Sequence, residues 1–161
     1  MTVIAIDPGY DRIGVAILEQ DFIKKPSEQV IFSTCITTNP RQNFYERMCF
    51  VQNELLKIIT RFQPNHLAIE ELYFSKNTKT ALRVAEAKGI IISVALNQNI
   101  PITEIHPNHI KIAITGYGNA TKSDILFMLP KLINIEQTKK LDDELDAIAI
   151  GITFFAQIKF T

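Results

Sequence analysis

Two acidic residues each follow a short apolar run, a setting that favours chemistry. Asp7 comes directly after residues 3–6 and before Pro8-Gly9, and Glu70 comes directly after residues 67–69. Such runs are typical of buried strands, and sites in α/β sheets form where parallel strands end. If these strands are parallel neighbours, the two carboxylates lie side by side, which is costly unless a cation separates them. Asp-Pro-Gly also favours a simple turn, so Asp7 alone does not establish a site.

A second acidic group lies in residues 141–150, where Asp143 and Asp146 are three positions apart. Residues at that spacing share one face of a helix, and the apolar residues that follow extend this face towards the interior. Acids in a first helical turn commonly complement the helix dipole, which explains the preceding acids more easily than Asp146. Glu71 is an alternative to Glu70 but is disfavoured, because side chains alternate along a strand and Glu71 faces the other way.

The oxygen-only character of this set indicates which ion it would bind. Carboxylates without His or Cys favour Mg²⁺ or Mn²⁺. Several carboxylates suggest two ions, typically about 3.5–4 Å apart, which stabilise the attacking and leaving oxygens in phosphodiester hydrolysis. The sequence contains neither a Ser/His/Asp arrangement nor a GxxxxGK[ST] phosphate loop. The predicted metal ligands and catalytic acids are Asp7, Glu70, Asp143 and Asp146.

Basic residues that could neutralise phosphates flank the glycine loop Gly116-Tyr117-Gly118. Lys111 precedes this loop and Lys122 follows it, and we add Lys122 to the catalytic set. Surface lysines are also common without any such role. Tyr73 precedes a polar and basic stretch, and exposed aromatic rings beside basic groups can stack on unpaired bases. The predicted nucleic-acid contacts are Lys111, Lys122, Tyr73, Lys76 and Arg12, and a wider basic face could include Lys79, Arg83 and Lys88.

The hydropathy pattern predicts the elements that position these residues. Apolar residues at alternating spacings of four and three predict a helix over residues 44–62. Strands are predicted over 3–6, 13–18, 30–37, 67–69 and 101–105, and further helices over about 78–96, 108–114, 123–133 and 142–156. Pro130 should kink or shorten its helix. Strands first, then strands alternating with helices, predict an α/β fold with a mixed sheet and an antiparallel opening hairpin.

Composition limits the classes of protein that remain. The chain has 161 residues, which suits a single domain over residues 1–161. Its 17 Lys and Arg balance 17 Asp and Glu, so a nucleic-acid partner would require basic groups concentrated on one face. No stretch suggests a membrane span and no leader pattern precedes residue 7. The two cysteines lack metal-site spacing, so we expect a cytoplasmic protein.

Four blocks of the sequence together resemble a known family. Ile6-Asp7-Pro8-Gly9 with Gly14 comes first and Ala68-Ile69-Glu70 second; Gly116-Tyr117-Gly118 with Lys122 and then residues 143–147 (Asp-Glu-Leu-Asp-Ala) follow. In this order and spacing they resemble the RuvC family of bacterial Holliday junction resolvases. The resemblance spans residues 3–155, nearly the whole chain. Each block alone is weak, but four in register are highly specific.

The resemblance implies an RNase H-like α/β fold, with a five-stranded mixed sheet flanked by helices. It implies a homodimer that binds four-way DNA junctions and nicks two strands of like polarity symmetrically, in recombination and repair, leaving 5′-phosphate ends. It implies Mg²⁺-dependent hydrolysis, with Mn²⁺ as a substitute, and leaves open a branch-migration helicase complex as a further partner. It implies that the four acidic ligands are Asp7, Glu70, Asp143 and Asp146. It implies that the two important lysines are Lys111 and Lys122 and that the aromatic residue that stacks on a base is Tyr73. The dimer surface would include the helix around residues 81–89.

Other functions remain alternatives from the sequence. A YqgF-like nuclease with the same fold would act on ribosomal RNA precursors, although such relatives lack the Gly-Tyr-Gly loop with Lys122. Sugar kinases and actin-like ATPases share the opening strand and Asp-x-Gly pattern but need two such domains and a longer chain. A non-catalytic junction-binding scaffold would gain nothing from four clustered acids, because they repel DNA.

Overall fold

A mixed five-stranded sheet forms the centre of the protein. The computed structural model describes residues 1–21, 23, 27–72, 78–135 and 141–158. The sheet order is β3-β2-β1-β4-β5; β1 pairs antiparallel with β2 and β2 with β3, whereas β1 and β4, and β4 and β5, run parallel. The strands are β1 (Thr2–Asp7), β2 (Arg12–Gln20), β3 (Glu28–Thr37), β4 (His66–Glu70) and β5 (Ile102–Ile105). The predicted α/β class and antiparallel opening hairpin are confirmed.

Helices cover both faces of this sheet. They are α1 (Phe44–Phe62), α2 (Thr78–Asn97), α3 (Pro107–Thr115), α4 (Lys122–Leu132) and α5 (Asp142–Ile158). Alternate residues of β1 enter two separate cores: Ile4 and Ile6 pack with α1 and α2, whereas Val3 and Ala5 pack with α3, α4 and α5. This alternation follows from the strand period of two. By the same alternation, the side chain of Asp7 lies on the α5 side of the sheet.

The helix ends follow local capping signals. Asn43 caps α1 through a capping box with Glu46, and Gln63 ends the helix in the left-handed conformation with φ of 46°. Thr121 caps α4 in the same way, with Asp124 as its partner. Capping residues of this kind satisfy backbone N–H groups that the helix leaves unpaired. The predicted limits of α1 are confirmed, and the two capped helices carry Arg47 and Lys122.

The proline in α4 lies close to the end of the helix. Pro130 lies inside α4, which ends two residues later at Leu132. Because proline has no N–H, it removes one helical hydrogen bond, and close to a C-terminus this loss affects only the final turn. In the part of the chain that the structure describes, no helix is both long and apolar enough to cross a membrane.

Candidate active site

The ends of two parallel strands bring Asp7 and Glu70 to one edge of the sheet. Ile6 of β1 pairs with Ile69 of β4, so the residue that follows each of them lies at the same level. Ala68 of β4 packs with the α5 side of the sheet, and Glu70, two residues further on, projects in the same direction. Asp7 does so by the same alternation from Ala5. The sequence prediction that these two strands are parallel neighbours is confirmed.

The close approach of α5 to β2 completes the acidic set. A Cβ atom on Gly14 would stand 1.9 Å from the carbonyl oxygen of Asp143, so a side chain at this position would push the start of α5 away. Gly14 also pairs directly with Asp7 across the β1–β2 hairpin. The glycine of the second strand therefore permits the acids of the last helix to lie beside the acid of the first strand.

A cleft of about 190 Å³ opens between the ends of β1 and β4 and helices α3, α4 and α5. Three of the predicted acids and both predicted lysines line it. Its walls are Asp7, Glu70, Pro107, Ile110, Lys111, Lys122, Ile125, Asp146, Ala149 and Ile150. Acids and lysines thus share one small concave site with an apolar floor.

Asp143 lies beside the cleft and is not part of its lining. Its Oδ2 atom is 3.1 Å from Nε of Arg12, and its side chain is only 18% exposed. Its Oδ2 is also 3.9 Å from Sγ of Cys35 on β3. The sequence predicted convergence of four carboxylates; the structure brings three together in the cleft and pairs the fourth with an arginine at its rim.

The electrostatics of the cleft are those of crowded like charges. Burial, followed by the negative charges of Glu70, Asp146 and Asp143, raises the pKa of Asp7 from 3.8 to about 7. Burial and the charge of Asp146 also raise the pKa of Glu70, although Lys88 and Lys122 oppose the shift. A buried carboxylate with several acidic neighbours favours either a proton or a metal cation. The site therefore has an excess of negative charge that a cation would neutralise.

Lys122 is one of the two lysines that line the cleft. It is the first residue of α4, and its Nζ donates a hydrogen bond of 2.8 Å to Oδ2 of Asp146. This hydrogen bond is the main reason that the pKa of Lys122 is raised, so the ammonium group remains charged at neutral pH. Gly116 ends α3 with φ of 81°, a conformation that favours glycine, and so the chain turns from Lys111 towards Lys122.

A divalent cation fits this donor set. Asp7, Glu70 and Asp146 offer hard oxygen ligands around the cleft, and the pKa of Asp7 is raised by burial and by like charges, both of which favour a bound cation. Within residues 1–21, 23, 27–72, 78–135 and 141–158, however, no three acidic, His or Cys side chains already stand close enough to hold a metal ion. Two of the predicted ligands are held in ion pairs, Asp146 with Lys122 and Asp143 with Arg12. Binding a cation would thus exchange ion pairs for metal ligation.

The remaining predicted contacts have different outcomes. Tyr73, Lys76 and the side chain of Lys79 lie outside the part of the chain that the structure describes. Arg83 is about half exposed and pairs with Glu86. The prediction that Lys88 widens an exposed basic face is wrong.

Lys88 is instead buried, with its side chain 8% exposed and its Nζ paired with Glu104 of β5. From this position its charge lowers the pKa of Glu70, which burial raises. Sequence reasoning missed this role because a single lysine in a helix usually lies at the surface. The alternation along β5, which places Glu104 on the α2 side of the sheet, was the available signal.

Two polar residues of β3 were also missed. Oγ of Ser33 donates a hydrogen bond of 2.7 Å to Glu144, and Cys35 lies next to Asp143, as described above. Ser33 and Cys35 are two positions apart and so share one face of β3. This polar alternation was visible in the sequence, but nothing in it indicated that α5 covers that face.

Comparisons with known proteins agree with this geometry. The family model described as crossover junction endodeoxyribonuclease RuvC matches residues 3–154. A protein of that name from Brachyspira hyodysenteriae is 39% identical over 154 residues, which cover 94% of this chain and 92% of the relative. Another from Thermosipho melanesiensis is 34% identical over 160 residues, covering 99% of this chain and 100% of the relative.

Solved structures give the same result. Thermus thermophilus RuvC in complex with a Holliday junction substrate has a TM-score of 0.87 at 25% identity, covering 99% of this chain and 96% of that one. The yeast mitochondrial Holliday junction resolvase has a TM-score of 0.70 at 15% identity, which shows a shared fold alone. The predicted RNase H-like fold is therefore confirmed. Because the family model matches nearly all of its length, the chain belongs to the RuvC family.

Proposed function

We propose that this protein is a structure-selective DNA endonuclease that resolves four-way junctions by metal-dependent hydrolysis of phosphodiester bonds. The single observation that carries the proposal is the cleft in which Asp7, Glu70 and Asp146 face Lys111 and Lys122. Acids that can hold a cation and lysines that can hold a phosphate are the two components that such hydrolysis needs. The names of the relatives and the junction complex of the Thermus protein support junction DNA as the substrate.

The acids would hold Mg²⁺, with Mn²⁺ as a substitute. Asp7, Glu70 and Asp146 line the cleft, and Asp143 would join them when its carboxylate leaves Arg12. When bound, the metal would stabilise developing negative charge and provide an activated water. Asp7 and Glu70 are half-buried at the ends of their strands, and their partial desolvation raises the pKa of both carboxyl groups and so favours a bound cation.

The basic residues would hold and orient the DNA. Lys122, which stays charged beside Asp146, would neutralise a phosphate at the cleft, and Lys111, which also lines the cleft, would neutralise another. Arg12, whose side chain is 51% exposed, would contact the backbone at the rim. Tyr73 and Lys76, which lie outside the described residues, remain predicted contacts.

A homodimer would present two such clefts to the two strands of one junction. The face of α2 supports this, because Ala81 and Ala85 are half-buried and Gly89 has open space around the position of a Cβ. Small residues at a spacing of four permit close helix approach. Light scattering of the purified protein tests the dimer: a monomer at micromolar concentration would contradict it. Cytoplasmic localisation and a branch-migration helicase partner remain predictions.

The function is tested with synthetic four-way junctions. We expect paired symmetric nicks with 5′-phosphate ends in Mg²⁺, none in EDTA, and none in linear duplex of the same sequence. An RNA–DNA hybrid and a ribosomal RNA precursor are included as competing substrates. Cleavage of RNA with no cleavage of junctions would contradict the proposal and favour the YqgF-like alternative. Junction binding without nicking in any divalent metal would contradict the enzymatic part alone.

A further inference from the structure

Arg47 of α1 is a buried charge away from the cleft. Its side chain is 6% exposed, although it lies on a helix whose other arginine, Arg61, is at the surface. A buried guanidinium is costly unless its donors are all engaged. The groups that engage it therefore indicate what the residue does.

The Nε and Nη2 donors of Arg47 point to one turn and to the residue that follows β3. Nε lies 2.9 Å from Oγ1 of Thr38, and Nη2 lies 2.6 Å from the same atom and 3.1 Å from the carbonyl oxygen of Tyr10. Nη2 also pairs with the carboxylate of Asp11. The guanidinium lies 3.7 Å from the centre of the Tyr10 ring. Arg47 thus contacts the turn between β1 and β2 at three groups: the backbone carbonyl of Tyr10, the carboxylate of Asp11 and the ring of Tyr10.

Thr38 fixes the same turn from the other side. It is 2% exposed, and its hydroxyl lies within hydrogen-bonding distance of the carbonyl oxygens of Tyr10 at 3.1 Å and Asp11 at 3.2 Å. Its backbone N–H donates to Asp11 at 2.9 Å. Arg47 and Thr38 together therefore form one network that satisfies the polar groups of the turn.

This turn connects two residues of the candidate active site. Asp7 ends the strand before it, and Arg12, which pairs with Asp143, begins the strand after it. The turn is tight, since a Cβ on Gly9 would stand 1.9 Å from the carbonyl oxygen of Arg12. A displacement at residues 10 and 11 would therefore be transmitted to Arg12 and to the end of β1.

We infer that Arg47 is a positioning residue for cleavage, because it holds the β1–β2 turn in the geometry that sets Asp7 and the Arg12–Asp143 pair. This inference rests on the proposed endonuclease function. Arg47 does not line the cleft, so we expect its main effect to be on the rate of the chemical step. Errors of about 1 Å in the position of a catalytic group can reduce rates about 100-fold.

The test compares variants of two arginines on the same helix. Arg47→Gln removes the charge and the fork of donors, and Arg61→Gln makes the same change at the far end of α1. We expect Arg47→Gln to lower the single-turnover cleavage rate of saturated junctions about ten- to 100-fold. The junction affinity in EDTA should change less than about threefold, because phosphate contacts dominate it. Arg61→Gln should leave both quantities unchanged.

Conservative variants separate positioning from a general loss of fold. Arg47→Lys keeps the charge but not the fork, and should retain an intermediate rate. Thr38→Val removes the hydroxyl that Arg47 contacts, and should lower the rate as Arg47→Gln does, whereas Thr38→Ser should restore it. Because both residues act on one turn, the double variant should be little slower than either single one. Additive losses would contradict a shared network.

Amide hydrogen exchange provides a readout that does not depend on cleavage. The N–H of Thr38 is bonded to Asp11, so its exchange reports directly on the turn. Arg47→Gln should accelerate it while amides of β4 and α5 keep their protection. If this occurs but the wild-type protein cuts no junction, the proposed function fails and the anchoring of the turn stands. Unchanged exchange together with an unchanged cleavage rate would overturn the inference.

Discussion

The cleft and the neighbouring β1–β2 turn both hold charged groups away from water, but with opposite partners. In the cleft, Asp7 is half-buried beside other acids, and its desolvation, followed by their negative charges, raises its pKa to about 7. At the turn, Arg47 is buried among acceptors: a hydroxyl, a carbonyl oxygen and a carboxylate. A buried charge with partners of opposite charge or with hydrogen-bond acceptors can fix the position of neighbouring groups. A buried charge with like-charged neighbours is destabilised, and it favours binding of a proton or a cation. The crowded acids of the cleft therefore lower the stability of the fold, whereas the paired charge of Arg47 keeps the β1–β2 turn in position.

The largest expected effect comes from removing the charge at the centre of the cleft. Asp7→Asn keeps the shape of the side chain but removes a metal ligand, so junction cleavage should fall at least about 100-fold. Junction affinity in EDTA should not fall, since one negative charge fewer faces the DNA. Gel assays of nicking and of binding measure both. Glu71→Gln is the matched control, because Glu71 is exposed and does not line the cleft; wild-type cleavage by Asp7→Asn would refute the assignment of the site.

The next effect concerns the contact that joins α5 to the hairpin. Gly14→Ala places a methyl group 1.9 Å from the carbonyl oxygen of Asp143, a backbone atom that can move only with the helix. We expect a loss of about 3 kcal/mol in the free energy of unfolding, from overpacking, and a large loss of cleavage. Gly118→Ala is the control, because its new methyl group would stand 3.7 Å from Ile112. Urea denaturation of both variants measures the difference, and equal losses would contradict the close-contact explanation.

A smaller expected effect is a gain in the stability of Asp7→Asn, which should be measurable only when no metal is bound. The pKa of Asp7 rises from 3.8 to about 7 on folding, so the folded protein binds more protons than the unfolded chain between about pH 4 and pH 7. Its stability therefore falls as the pH rises through that window. Asp7→Asn removes this loss, and in EDTA at pH 8 we expect the variant to be more stable by about 2 kcal/mol. Near pH 4 the two proteins should unfold at nearly the same temperature.

A residue with the opposite shift provides the control for this pH series. Hydrogen bonds from Thr121 lower the pKa of Asp124, so its carboxylate stabilises the fold above its ordinary pKa and stops doing so as the pH falls. Asp124→Asn should therefore lower the melting temperature at pH 8 and less so at pH 4. If Asp7→Asn also lowers it at pH 8 in EDTA, the view of the cleft as a destabilised region is wrong.

The smallest effects separate the helix that carries Lys122 from the helix that carries Arg47. Asn43 and Thr121 make equivalent capping boxes, so Asn43→Ala and Thr121→Ala should each cost about 1 kcal/mol of stability. Lys122 directly follows Thr121, so Thr121→Ala should also lower cleavage several-fold. Arg47 lies one turn further into its helix, and Asn43→Ala should affect cleavage less. Thermal melts and single-turnover rates measure this, and a reversed order would contradict it.

The fold could be predicted wherever one simple pattern governed an element. The apolar stripe of α1 and the apolar run of β1 predicted both elements, because burial of one helix face leaves a helical period and burial on both sheet faces leaves a short continuous apolar run. The adjacency of Asp7 and Glu70 followed from a rule of topology, since parallel strands end at the same edge.

Side-chain partners chosen across the fold could not be predicted in this way. The pairing of Asp143 with Arg12 depends on a rotamer and on the seating of α5 against β2. The burial of Arg47 and Lys88 depends on acceptors from other elements, Tyr10, Thr38 and Glu104, which no local pattern connects to them. Hydropathy predicts exposure for both cations, and their partners override that preference.

The spread of the acids along the chain has a consequence for how the protein is made. The β2, β3 and α1 segments lie between Asp7 and Glu70 in the chain, and Asp146 lies on α5, the last helix, which packs on β2. Contacts between distant segments form late, because the intervening chain must first be ordered. A ribosome-bound chain that has not yet released α5 would therefore hold Asp7 and Glu70 without Asp146, and we expect no nuclease activity before that helix has been synthesised.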